Sequence, residues 1–239
     1  MIRDSIKTTE YFNIFIQRER ERINKFQDKL DKNEIKEDRV ISVKKKIFNI
    51  QNGLINAKYS YGNEISEIKE DFVKLIPKIS KYWTSVSGYV DMIWILSLSI
   101  LLDIKDTEFE EIVEVLKKDN PNDILVDFLI NSQSKDWNIK ATGFKFNTPY
   151  KNLESVINET DKEKAIENLK LYLDKKWYQG HKALGVGWVD NHKSKHDTYS
   201  GYWCWEAGAL VKILGLDDSS LKEQQYYPYD MVHYKEELV

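Results

Sequence analysis

The sequence predicts an all-α protein, an N-terminal helical bundle packed against a C-terminal helical domain. Three observations carry this reading. The long segments repeat their apolar residues at steps of three and four, which gathers them on one helix face. Only 10 glycines and 4 prolines stand among 239 residues, too few to turn the chain as often as a sandwich or barrel demands. No segment alternates apolar and polar residues cleanly over the length of a strand.

Taken in order, the first helix spans Tyr11 to Leu30 and aligns Phe12, Ile16, Ile23, Phe26 and Leu30 around the charged run QRERER. A second aligns Val40, Val43, Ile47, Ile50, Leu54 and Ala57. A third carries Ile65, Ile68, Phe72, Leu75, Ile79 and Tyr82, with Pro77 expected to kink or break it. GYVDMIWILSLSILLDI is apolar nearly all round, so this fourth helix should be central, with the first three packed about it. Next, TEFEEIVEVLKKDNP places Thr107 and Glu110 in capping-box positions and stops before Pro121. Its inner face is Phe109, Ile112, Val113 and Leu116, while Glu108, Glu111 and Glu114 share a polar face. The division between domains is placed here: 1–120 as the N-terminal helical domain and 121–239 as the C-terminal one.

In the second half, NSQSKDWNIKATGFKFNTP reads as a connecting loop. Thr160 and Glu163 suggest another capping box ahead of Ala165, Ile166, Leu169, Tyr172 and Leu173. WYQGHKALGVGWVDNHKSKHDTYSGYW is a glycine- and histidine-rich loop of the kind on which binding residues tend to sit. The closing helix has Ser200 as its expected N-cap, with Trp203, Ala207, Leu210 and Leu214 on one face. Ala207, Gly208 and Ala209 leave room for another helix, and Gly215 suits the C-cap. Ser220 with Glu223 suggests a following cap, and Pro228 keeps YYPYD extended. Glu206 is the exception on this helix. Its neighbours at helical spacing are Tyr202, Ala209 and Ile213, so it should be buried and must find donors among a tyrosine, the indoles or a histidine.

Composition narrows the chemistry. With 41% hydrophobic and 31% charged residues the chain is an ordinary globular protein. Cys204 is the single cysteine, so an intramolecular disulfide and a cysteine-rich zinc site are excluded. Between two tryptophans, with Glu206 nearby, it reads as a buried, inert thiol rather than a nucleophile. No apolar leader is visible in MIRDSIKTTEYF, and the run from Met92 to Leu102 is too short to span a bilayer; a cytoplasmic protein without a membrane partner is expected. His181, His192 and His196 with Asp190 and Asp197 allow a metal reading. However, no glutamate follows His192 as a zinc-enzyme helix would require, and structural histidines fit better. Asp217 and Asp218 fit a capping turn. No cofactor is expected.

Charge is unevenly spread. Residues 1–58 hold 14 basic against 9 acidic side chains, 106–127 hold 2 against 8, and 199–239 hold 3 against 7. Either acidic block could face a basic partner.

KKWYQGHKALGVGWVDNHK followed by YSGYWCWEAGALVKILGLDDSSLKEQQYYPYD resembles the C-terminal domain of the polymorphic nuclease immunity (PoNi) family. EYFNIFIQRERERI, LINAKYSYGNEISEIKEDF and YVDMIWILSLSILLDI resemble its N-terminal domain. The resemblance implies a helical cytoplasmic protein that binds and neutralises a cognate antibacterial DNase toxin in competition between bacteria. It implies inhibition by binding, not catalysis, and no direct contact with nucleic acid. The shared motif, with Trp203, Glu206, Gly208, Gly215 and Pro228, is expected to hold the fold. Partner contacts are expected outside it, at Glu108, Glu111 and Glu114 by their shared polar face, and at Asp190 and Asp197 by their place on the loop. Two other classes stay open: a metal-dependent hydrolase on the His181, His192 and His196 loop, and a nucleic-acid-binding module on the basic N-terminal helices.

Overall fold

The computed structural model describes residues 1–134, 136–138 and 140–235, without the side chains of 85–87 and 106; residues 236–239 of the expected C-terminal domain lie outside the described residues. Among the described residues there is no strand, and the all-α expectation holds. They divide into two compact units, Met1–Tyr82 with Asp190–Tyr202, and Trp83–Val189 with Trp203 onward. Neither unit is one continuous stretch of chain.

In the first unit, α1 (Thr9–Asp31) and α2 (Glu37–Tyr61) pack along their length. Thr8 caps α1 by accepting from the Tyr11 N–H at 3.2 Å, and Phe12, Phe15 and Ile16 form its buried stripe. Helix α2 ends at Gly62 with φ of +99°, where an added Cβ would stand 2.0 Å from the Met1 carbonyl oxygen. Only glycine fits both demands there. The break expected near Pro77 separates α3 (Ile65–Val73) from α4 (Ile76–Tyr82). Pro77 sits in the first turn of α4, where its missing N–H has no partner to lose.

The segment Asp190–Tyr202 completes this unit through main-chain contacts. Tyr11 Oη donates to the Tyr199 carbonyl at 2.9 Å and accepts from its N–H at 3.1 Å. Asn56 Nδ2 donates to the Gly201 carbonyl at 2.8 Å, and Ser60 Oγ to that of Ser200 at 2.8 Å. Tyr199 Oη donates to the Asp4 carboxylate. Ser200 is therefore part of this junction and does not cap a helix.

The second unit contains α5 (Ser85–Leu101), α6 (Asp106–Asp119), α7 (Ile124–Asn131), α8 (Glu154–Ile157), α9 (Lys162–Leu171), α10 (Tyr178–Ala183), α11 (Trp205–Leu214) and α12 (Tyr229–Val232). The apolar α5 is buried as expected, but it belongs to this unit, where it packs on α11 and α7. The four-helix bundle expected at the N-terminus is thus corrected to a unit built on α1 to α4. Ser97 and Ser99 are tolerated inside α5 because each donates to the carbonyl four residues back, at 2.6 and 2.8 Å.

The inner face of α6 is Phe109, Ile112, Val113 and Leu116, and the helix stops at Asn120 with φ of +38°, before Pro121. Its expected capping box is absent: Lys105 takes the N-cap, and Thr107 Oγ1 lies 3.4 Å from Glu108 instead. At α9 the cap is Asp161, not Thr160, because its carboxylate accepts from both the Glu163 and Lys164 N–H groups. Helix α11 starts at Trp205 with Cys204 as N-cap. Asp218, not Ser220, holds the N-cap position of the 3-10 turn after it, and Asp217 accepts from Ser219 N–H at 3.0 Å.

Candidate functional site

The C-terminal motif builds a buried polar centre in the second unit. Between α9 and α10 the helix widens into one π-helical turn, Tyr172–Trp177. Such a turn brings side chains five apart onto one side. Here the Tyr172 hydroxyl and Trp177 indole both donate to Glu206 Oε1, at 3.2 and 2.8 Å. Glu206 is fully buried, as are Tyr172 and Trp177. Glu206 Oε2 has no hydrogen-bond partner, and the Cys204 thiol lies beside the carboxyl. Burial pushes the Glu206 carboxyl up to about 7, well above its usual 4.5, and the donors recover only part of that. Burial and the neighbouring Glu206 also push the Cys204 thiol well up, so it is a packed, unreactive group as expected.

His181 stands in the same core. Its Nε2 meets Tyr150 Oη at 2.9 Å and its Nδ1 meets the Trp177 carbonyl at 2.7 Å, so both ring nitrogens are engaged. Burial lowers its pKa to about 4, so it is held neutral. Trp177 and Trp188 pack against its ring, and Tyr226, which holds an unusual φ of +70°, packs in turn on Trp177 and stacks on Tyr178. His192 and His196 belong to the first unit: His192 Nδ1 meets Tyr202 Oη at 2.7 Å, and His196 is exposed. Among the described residues no three His, Cys, Asp or Glu side chains gather as a metal site would require.

Of the remaining motif residues, Trp203, Gly208 and Pro228 are buried and Gly215 ends α11. A Cβ on Gly208 would stand 2.9 Å from Val232, 3.0 Å from Pro228 and 3.3 Å from Leu101, so the glycine lets α5 and α12 close on α11. Gly215 adopts φ of +59° as the left-handed cap of α11; Trp203 is buried, and the next residue, Cys204, donates its N–H to the Tyr226 carbonyl at 2.8 Å.

Two buried acids were not legible as hubs. Asp123 caps α7 through Val126 N–H at 3.0 Å and accepts from Tyr89 Oη at 2.8 Å and Lys145 N–H at 2.7 Å. It thereby ties the main chain at Lys145 to α5 and α7. Asp218 accepts from Tyr227 Oη at 2.6 Å and pairs with His233 at 2.9 Å, fastening the chain end around α12. Asp123 stands ahead of the apolar run ILV, a signal for a cap, whereas Asp218 is followed by two serines and carries no such signal.

The structure brings Glu108, Glu111 and Glu114 to the exposed face of α6, with Glu114 paired to Lys117 at 2.8 Å. Lys117 pulls the Glu114 carboxyl below its usual range. Asp190 and Asp197 lie on the first unit. Asp190 is half-buried and paired with Lys193 at 2.8 Å; Asp197 is exposed, and its carbonyl accepts from Arg18 at 2.6 Å. Both hold left-handed backbone conformations, φ of +59° and +47°, which aspartate tolerates better than most residues.

Comparison with known proteins bears on these features. No curated protein matches the chain. Among solved structures it is similar to protein PA2201 from Pseudomonas aeruginosa, with a TM-score of 0.60 and 17% identity over 82% of this chain and 74% of that one, a likeness of fold. The family model for the N-terminal part of PoNe immunity proteins matches residues 3–114, and that for their C-terminal part matches 121–231. With both matches covering nearly all of the motif-bearing sequence, the chain belongs to the family of PoNe immunity proteins (PoNi).

Proposed function

We propose that this protein neutralises a cognate DNase toxin by binding it in the cytoplasm of the cell that produces both. The carrying observation is the pair of family matches, which together run from residue 3 to 231. The family is one of immunity proteins, and its partners are nuclease toxins. In this reading the protein acts by occupancy, as a non-enzyme without a cofactor. The partition at residue 120 stays part of it, since the two family matches leave only 115–120 between them.

Glu108, Glu111 and Glu114, with Asp190 and Asp197, are the proposed toxin contacts. A DNase presents cations to phosphates, and an acidic helix face offers it competing anions. Supporting this division of labour, the motif residues Glu206 and Gly208 are enclosed, whereas the three glutamates are exposed. The test is coexpression with a candidate nuclease toxin sought in the reading frame beside this gene. Survival of the host and a tight complex, with Kd near ~1 nM, are expected. Death of the host, or a nuclease that stays fully active on DNA at saturating concentrations of the purified protein, would sink the reading.

A further inference from the structure

The first unit carries an open cleft of about 490 Å3 between α1, α2 and the 190–202 segment. Arg18, Arg22 and Lys46 line it against a single carboxylate, Glu19, so positive charge is in excess. Glu19 is buried and accepts from Arg22 Nη1 at 2.8 and 2.6 Å through its two oxygens, and from Arg18 Nε at 3.1 Å. One carboxylate cannot neutralise two guanidiniums, and it holds both at the cleft with further N–H donors to spare. Lys46 is exposed and makes no hydrogen bond or ion pair among the described residues.

Gly53 lines the same cleft from the interior of α2. A glycine there weakens the helix relative to alanine. Nothing in the fold requires it: a Cβ would meet no atom within 4 Å, and the backbone is helical. Its missing side chain keeps open a space that the chain itself leaves empty. Phe15 and Ile50 supply apolar lining beside the cations.

From these features we infer that the cleft receives an acidic segment of the cognate toxin, with a carboxylate reaching Lys46 and Arg22 and the adjoining chain seated over Gly53. This rests on the immunity reading above and adds to it a second contact of opposite charge to the α6 face. Charge of both signs on one partner selects against toxins that match only one.

The test uses the full chain, with the candidate nuclease sought in the reading frame beside its gene as the probe at low salt. Lys46→Glu is expected to weaken binding by about tenfold or more, through reversal of an interfacial charge. Gly53→Leu should do the same while raising the unfolding midpoint, because leucine fills the cleft and favours the helix. Lys81→Glu, exposed on α4, makes the same change in net charge away from the cleft lining and should alter Kd by less than about threefold. If both cleft variants bind like wild type while the wild-type chain binds and protects, the cleft assignment falls and the immunity reading stands. A wild-type chain that does not bind the nuclease overturns both. If Lys46→Glu instead abolishes a homodimer, the cleft is a contact between copies and the inference fails.

Discussion

Helices α11 and α6 of the second unit both carry glutamates beside apolar residues, and the two sets do opposite work. On α11, Glu206 is flanked on its face by Ala209 and Ile213, and it has no exposed surface. On α6, the apolar residues Phe109, Ile112, Val113 and Leu116 claim one face, which leaves Glu108, Glu111 and Glu114 on the other. Burial raises the carboxyl of Glu206, whereas a lysine neighbour lowers that of Glu114. The lesson concerns which charges can change. Glu206 is bound to the core by Tyr172 and Trp177, so altering it changes the stability of the core. The α6 glutamates are exposed and support no core packing, so in the proposed interface they are the charges free to change.

The sharpest way to break this comparison is Trp177→Ala. The variant opens a cavity and strands Glu206, so a loss of ~3–5 kcal/mol is expected in chemical denaturation. A loss below ~1 kcal/mol would show that the centre does not hold the fold.

Glu206→Gln gives the next effect, through pH. The folded carboxyl titrates at about 7 and the unfolded one at its ordinary 4.5, so folding takes up a proton between these values. Its stabilising share is complete below about pH 4.5 and lost as pH rises through about 7. Wild type should therefore lose stability relative to Glu206→Gln by ~1.4 kcal/mol per pH unit across that window, and roughly 3 kcal/mol in all. Neutral His181 works in the opposite sense, losing stability as pH falls from 6.5 toward about 4, so only the difference between the two proteins isolates Glu206. Parallel stability curves from pH 4 to 8 would rule the account out.

Gly208→Val should cost ~1–3 kcal/mol by overpacking against Val232, Pro228 and Leu101, and an unchanged melting temperature would mean α12 is not tightly seated. The smallest effect on stability belongs to the triple variant Glu108→Lys, Glu111→Lys, Glu114→Lys. Each change should stay within ~0.5 kcal/mol, yet association with the toxin should slow by about tenfold or more at low salt. An unchanged association rate with full protection would take α6 out of the interface.

The sequence makes the helices of this protein easier to see than their ends or their grouping. The apolar stripe of α6 follows from side-chain period alone and is buried throughout. In α1 and α2 burial follows it at Phe12, Ile16, Ile47, Ile50, Leu54 and Ala57, whereas Ile23, Phe26, Leu30, Val40 and Val43 are only half-buried and Phe15 is buried instead. Cap positions at Thr107, Thr160 and Ser200 failed because several oxygen-bearing side chains compete near each start and local geometry picks one; Asp161 prevails over Thr160 by reaching two N–H groups. The burial of Glu206 was visible in its apolar neighbours. Its donors were not singled out, because a π-helical turn leaves no mark in the residue pattern and alone brings Tyr172 and Trp177 together. The grouping of 190–202 with the first unit was equally hidden, since it rests on main-chain carbonyls that any residue supplies.

That late segment has a consequence in time. Residues 83–189 are synthesised between the two parts of the first unit. A ribosome adding about 5–20 residues per second delivers the Gly201 carbonyl roughly 6–24 s after α4 emerges. Until then Tyr11, Asn56 and Ser60 lack the acceptors that they bind in the finished protein. The unit begun first is completed nearly last, and a chain cut short before Tyr202 leaves the ribosome without a closed copy of it.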